Sequence, residues 1–332
     1  MGLEVSSLKD SNTFVNGTPA KIEILAPFGV AFEWMKAMLF RPFDLVRWLT
    51  IAFAAFLSGS WGGGLNSRWN QWSRGDWNYR LHRHGDFSDS TIPAWLIALI
   101  IIGVLLAIVL ALVWMWVSSR GRFIFTDCVV KNRAAIAEPW REYRREGNSY
   151  FLFSLVVAFG AVLLTALLIV VIVLPLGFFS HNENAAANFG LLLVPLICFG
   201  FIFVIFAVFF SLISHLMVPV MYRRRCLARE ALVDVTKLVF RNPGPFVLFV
   251  LFMIALALGV AVAGTIVACA TCCVGALPYI STVLLLPAIV WLAAYRLLFL
   301  RQFGDQYDVW ATVGFASPAT PSSPPPPIAP AG

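Results

Sequence analysis

Charge is scarce in this chain. Asp, Glu, Lys and Arg make up 12% of its 332 residues, and the 54 residues from Asn242 to Tyr295 contain none of them. Soluble domains carry about a quarter charged residues, so an ordinary soluble fold is excluded. As a helix, a run of that length reaches roughly 80 Å against a hydrocarbon core of about 30 Å, and it must cross a bilayer twice. Cys272, Cys273, Gly275 and Pro278 interrupt its apolar pattern near the middle and mark the turn. Chemistry-bearing motifs are missing too. There is no glycine-rich phosphate loop, nucleophile elbow, zincin helix or kinase signature. The charged connecting segments are too short to hold a separate catalytic domain, so the chain is read as non-enzymatic and without a cofactor. The six cysteines form no even framework on one side, which excludes a disulfide scaffold.

What is present is hydrophobic: 60% of the residues are apolar or aromatic, and the mean hydropathy is strongly positive. Hydropathy predicts an all-α polytopic transmembrane bundle with six spans, at 42–60, 93–117, 149–176, 191–218, 245–271 and 279–300. The first 25 residues are polar, and no cleavable signal peptide is expected in them. The organisation read from this pattern is a polar segment over residues 1–25, a transmembrane domain over 26–310, and a disordered proline-rich cytoplasmic tail over 311–332.

Basic residues orient the spans, because Lys and Arg resist translocation. Lys9, Lys21, Lys36 and Arg41 precede the first span. Arg120, Arg122, Lys131, Arg133, Arg141, Arg144 and Arg145 follow the second, and Arg223, Arg224, Arg225, Arg229, Lys237 and Arg241 follow the fourth. The connections after the third and fifth spans have no Lys or Arg at all. Both termini are therefore expected in the cytoplasm. The net charge of +7 is accounted for by this asymmetry and by attraction to anionic lipid, with no need for nucleic-acid binding. Arg120, Arg122, Arg141, Arg144, Arg145, Arg223, Arg224 and Arg225 are the candidate contacts for anionic lipid headgroups or for a cytoplasmic protein partner.

A threefold repeat runs through the chain. Glu33-Trp34-Met35-Lys36 leads to Phe40-Arg41-Pro42 before the first span, and Asp234-Val235-Thr236-Lys237 leads to Phe240-Arg241-Asn242-Pro243 before the fifth. A weaker copy, Pro139-Trp140-Arg141-Glu142-Tyr143-Arg144-Arg145, precedes the third. Each stretch has helical periodicity but too much charge to span, so the unit is an amphipathic interfacial helix followed by a helical hairpin. Ala255, Gly259 and Ala263 give the fifth span a small-residue face for close helix packing, expected to be intramolecular.

Ion-coupled transport is disfavoured, because the middles of the spans contain no ionisable group. Asp44, Arg47, His215, Arg296 and Arg301 all fall near the inner boundary, and Asp44 and Arg47, three apart, are placed to pair. A passive transporter or lipid flippase is the alternative function. A second alternative is a metal site in the first outer loop, where His82, His84, Asp86 and Asp89 are ligand types joined by His181 and Glu183 from the second. Cys269, Cys272 and Cys273 read either as small residues easing a turn or as a redox or metal pair.

Three stretches carry a likeness: Arg120-Gly121-Arg122-Phe123-Ile124-Phe125 with Asp127, then Glu138-Pro139-Trp140-Arg141-Glu142-Tyr143, and Leu277-Pro278-Tyr279 through Pro287 to Arg301-Gln302-Phe303-Gly304. Over about residues 25 to 310 the chain resembles an uncharacterised group of bacterial multi-pass membrane proteins. It is also loosely similar to the membrane portion of some glycerophosphodiesterases, without their phosphodiesterase domain. The resemblance implies a bacterial inner-membrane location and no mechanism.

Overall fold

Prolines and polar residues at the breaks of the apolar runs divide the chain into helices. The structure, a computed structural model, describes residues 22–59, 94–179, 185–271, 277–311 and 313, and among them there is no strand. Helix α1, Ala26–Phe40, has Pro27 in its first turn and stops at an extended Arg41, since the residue before Pro42 is pushed out of the helical region. Helix α2, Leu45–Leu57, starts where the Asp44 carboxylate accepts the Val46 N–H at 2.9 Å. The remaining helices are α3, Ala94–Lys131; α4, Ala137–Glu142; α5, Arg144–Phe179; α6, Ala185–Arg224; α7, Ala228–Arg241; α8, Pro243–Ala270; α9, Pro278–Leu284; and α10, Leu286–Arg301. Asn132 after α3 and Arg225 after α6 both adopt positive φ, at 50° and 53°, the left-handed conformation that closes helix C-termini.

Four helical segments are long and apolar enough to cross a bilayer: Trp95–Lys131, Arg144–Leu167, Phe199–Arg224 and Pro243–Ala270. The other two expected spans take a different form. The first is α2, whose 13 residues reach about 20 Å, less than the hydrocarbon thickness. The sixth is broken at Leu285 into α9 and α10. The turn expected inside the uncharged run falls between the end of α8 and Pro278, as the apolar pattern indicates.

Among the described residues the long helices pack mainly at one end. Many large apolar residues of α3 from Trp95 to Val113, of α5 from Leu152 to Leu167, of α6 from Ile197 to Val208 and of α8 from Val247 to Ile266 are exposed. So large an apolar surface is tolerated in lipid and not in water. Its few polar side chains turn inward on their own backbones: Thr165 donates to the Ala161 carbonyl at 2.8 Å and Thr265 to Ala261 at 2.9 Å. At the packed end Phe123, Ile124, Tyr150, Leu216, Met217, Tyr295, Phe299 and Trp310 form a closed core.

Within this core, α1 runs antiparallel along α10. Tyr295 and Trp291 donate to the carbonyls of Ile24 and Phe28 at 3.2 and 3.1 Å, and Gln302 exchanges bonds with the Glu23 backbone. A buried indole N–H from Trp34 reaches the Val129 carbonyl, tying α1 to the end of α3. Antiparallel contact between α2 and α3 needs a glycine: a Cβ on Gly121 would stand 2.5 Å from the Leu57 carbonyl carbon. The expected Asp44–Arg47 pair does not form. Asp44 is used as the cap of α2, and Arg47 donates to the Asn132 carbonyl at 2.8 Å, beyond the last turn of α3. The small-residue face of α8 has no partner helix among the described residues: Gly259 has nothing within 4 Å of a Cβ position, and Ala255 and Ala263 are exposed. Helix α8 touches its neighbours mainly lower down, where Phe246 and Phe249 stack on Phe303 and Phe299.

Candidate functional site

The polar residues of the chain gather at the packed end, around one buried carboxylate. Asp127 sits in the last turns of α3, fully buried, and receives Lys131 Nζ at 2.7 Å, Arg133 Nε and Nη2 at 3.1 and 2.9 Å, and the Tyr222 hydroxyl at 2.9 Å. Lys131 is a helical neighbour four residues on, and the αL turn at Asn132 brings Arg133 back. Arg133 continues to Glu138 at 2.7 Å, and Lys131 to Glu142 at 3.7 Å. Glu142 also pairs with Arg225, which lies 3.7 Å from Glu146 and stacks its guanidinium 3.9 Å from the centre of the Tyr143 ring. Tyr143 in turn stacks on Tyr222 at 4.9 Å. The connection after α3 and the connection after α6 are thereby joined into one network, to which Ala228 N adds a bond to Ser149 Oγ at 3.0 Å.

Burial pushes the Tyr143 phenol up to about 12. At Arg225 burial works against the charge, but Tyr143, Glu142 and Glu146 outweigh it and hold the guanidinium above its ordinary value. Burial works the same way at Arg133, where the bonds to Asp127 and Glu138 again raise it. These are the marks of a structural ion network: opposite charges are matched, and each carboxylate stabilises the cation it faces.

The eight candidate arginines fall into three environments. Arg120 and Arg122 point into the packed end. Arg120 is buried, donates to Asn148 Oδ1 at 2.8 Å and lies 4.3 and 5.2 Å from the rings of Trp116 and Trp140, while Arg122 donates to the Tyr150 hydroxyl. Arg224 and Arg225 are exposed but engaged by Asp234 and Glu142, and Arg223 is half-buried. Arg141, Arg144 and Arg145 are exposed and make no ion pair among the described residues. Arg141 lines a shallow hollow with Ala137, Glu138 and Glu142.

Three cations used in the sequence only to orient the chain share the surface of one helix. Helix α7 buries Ala228, Ala231, Val235, Leu238 and Val239 and exposes Arg229, Val233, Lys237, Phe240 and Arg241. The signal was present in the helical spacing of that segment; what the spacing left open was which cations the fold would consume internally. The outer-loop residues His82, His84, Asp86, Asp89, His181 and Glu183, the cysteines Cys272 and Cys273, and the tail from residue 314 lie outside the described residues. Among the described residues no three His, Cys, Asp or Glu side chains gather in a way that would hold a metal ion.

No curated protein and no solved structure matches this chain. A family model described as a family of unknown function (DUF7544) matches residues 24–304, and the chain belongs to that family.

Proposed function

We infer that the chain is a six-crossing, non-enzymatic protein of a bacterial inner membrane, with both termini in the cytoplasm and a basic packed end that binds anionic lipid headgroups. The observation carrying this reading is the outer face of α7, where Arg229, Lys237 and Arg241 alternate with exposed Val233 and Phe240. Cations beside apolar side chains suit the headgroup level, where rings and aliphatic groups enter the acyl boundary while guanidinium groups meet phosphate. Arg141, Arg144 and Arg145 extend the basic surface across the neighbouring connection.

Six crossings are supported by where the ends of the chain lie. Contacts of Trp34 with Val129 and with Trp310 place residues near both ends of the described chain at the packed end of α3. Helix α3 starts, and α8 finishes, at the opposite end, which supports a crossing before α3 and another after α8. A threefold repeat is supported by a recurring contact, in which α4 packs on α3, α7 on α6, and α1 on α10. Each helix that precedes a hairpin thus rests on the last helix of a hairpin.

The test uses the full chain purified from its membrane in mild detergent, with retained lipid read by native mass spectrometry. The variant R229Q/K237Q/R241Q is expected to recover far less phosphatidylglycerol. At about 1 kcal/mol per cation near the surface, three neutralised residues weaken binding by roughly two orders of magnitude. Recovery equal to the wild type overturns the reading.

A further inference from the structure

Three basic side chains meet at the packed end with no acid among them. Arg122 stands on α3, His215 on α6 and Arg296 on α10. Arg296 Nη1 lies 3.2 Å from His215 Nδ1, and Arg122 reaches the same turn of α6 through Tyr150. Tyr150 of α5 joins the group, receiving Arg122 and donating to the Ser214 carbonyl at 3.4 Å. Elsewhere at this end Lys131 and Arg133 are matched by Asp127, Arg225 by Glu142, and Arg301 by Asp308 at 3.0 Å, while buried Arg120 is held by the Asn148 amide oxygen and the Trp116 and Trp140 rings. Among the described residues no carboxylate pairs with Arg122, His215 or Arg296.

Two guanidinium groups at one place with no carboxylate between them leave a net positive charge that an anion would offset. The place is also open. His215 is exposed and Arg122 and Arg296 are half-buried, so the group lies at the surface of the packed end and not in its core. Arg122 and Arg296 are each only half-buried, and Arg296 Nε donates to the Leu292 carbonyl at 3.2 Å, leaving its Nη2 without a bond among the described residues. Because Arg296 has only donors, Nδ1 of His215 must accept, and the neutral ring carries its proton on Nε2 as a further donor. The donors stand on three separate helices, an arrangement suited to a tetrahedral oxyanion; a planar carboxylate is satisfied by one arginine fork.

We propose that Arg122, His215 and Arg296 form a phosphate-binding site at the packed end, separate from the exposed cations of α7 and standing whether or not those bind lipid. The phosphate is either that of a lipid headgroup entering between the helices or a free inorganic anion, and the two are distinguished by experiment. The full-length protein in mild detergent is titrated with inorganic phosphate by calorimetry. It is then placed in nanodiscs of phosphatidylcholine with and without phosphatidylglycerol, and retained lipid is counted by native mass spectrometry.

One saturable phosphate per chain identifies a free anion as the ligand, and one firmly retained phosphatidylglycerol without phosphate binding identifies a headgroup. In either case R296Q is expected to weaken that single site at least about tenfold, as loss of a charge-assisted fork does. R229Q/K237Q/R241Q is expected to leave it unchanged, which separates this site from the outer surface. H215Q serves as the second variant should R296Q not elute as a folded species. A wild-type protein that retains neither probe stoichiometrically overturns the proposal, as does unchanged binding in both R296Q and H215Q.

Discussion

Asp127 shows how much a single residue carries in a chain with so few charges. It is fully buried and faces Lys131, Arg133 and Tyr222 at once. Replacing it with asparagine leaves two cations facing a neutral amide, and because both are partly solvated the expected loss is about 3 kcal/mol, the lower end for breaking a buried ion pair. Thermal unfolding of D127N in detergent should show a markedly lower midpoint; an unchanged midpoint would remove Asp127 from the centre of the network. Tyr143 supplies a pH signature. Its folded phenol is raised to about 12 by burial, against about 10 in an unfolded chain. Between those values the unfolded state releases a proton that the folded state keeps, so this contribution is complete below about pH 10 and is lost as pH rises to about 12. Unfolding midpoints followed from pH 8 to 11 should fall less steeply in Tyr143→Phe than in the wild type.

At the scale of elements, glycines divide packed helices from those that face lipid. Gly121 lets the α2 backbone come against α3, and a methyl group there meets the Leu57 carbonyl carbon and oxygen at 2.5 and 2.6 Å. Gly121→Ala should therefore cost about 1–3 kcal/mol through displacement of α2, as overpacking does. Gly259→Ala on α8 meets nothing and should be neutral or stabilising by up to about 1 kcal/mol through helix propensity. Paired unfolding measurements on the two variants check the contrast, and equal losses would mean that α8 has a partner on that face. Helix α7 illustrates the opposite balance: Glu230 in its first turn and Arg241 in its last suit the helix dipole, and Asn242-Pro243 ends it. Helix α1 shares its expected pattern but has a different place. Its Glu33 and Lys36 pair with each other at 2.7 Å, and the rest of its inward face packs along α10.

For the whole molecule, the packed end and the exposed apolar ends imply a definite arrangement in the bilayer. In a background lacking native cysteines, Arg133→Cys, Arg229→Cys and Asp305→Cys should react with an impermeant thiol reagent from the same face of the membrane, and Ala94→Cys and Thr271→Cys from the other. Labelling of Asp305→Cys together with Thr271→Cys would show that α9 and α10 do not bring the chain back across.

The apolar runs by themselves determined that this is a helical membrane protein, because a bilayer leaves an uncharged backbone little choice except to satisfy its hydrogen bonds within helices. The residue pattern also located the breaks at Pro42, Pro243 and Pro278, where proline geometry acts locally. It did not reveal that α2 is short or that α10 begins after a break at Leu285, since hydropathy averages over residues and passes smoothly across both. Nor could it sort the arginines. Arg120, Arg141 and Arg225 look alike in sequence, and tertiary structure alone decided that the first is enclosed by Trp116, Trp140 and Asn148, the second stays exposed and the third is spent on Glu142. Hydrophobicity is a property of each residue and adds along the chain, so it is legible there; the partner of a charge is set by which helices meet, and that is decided only when they pack.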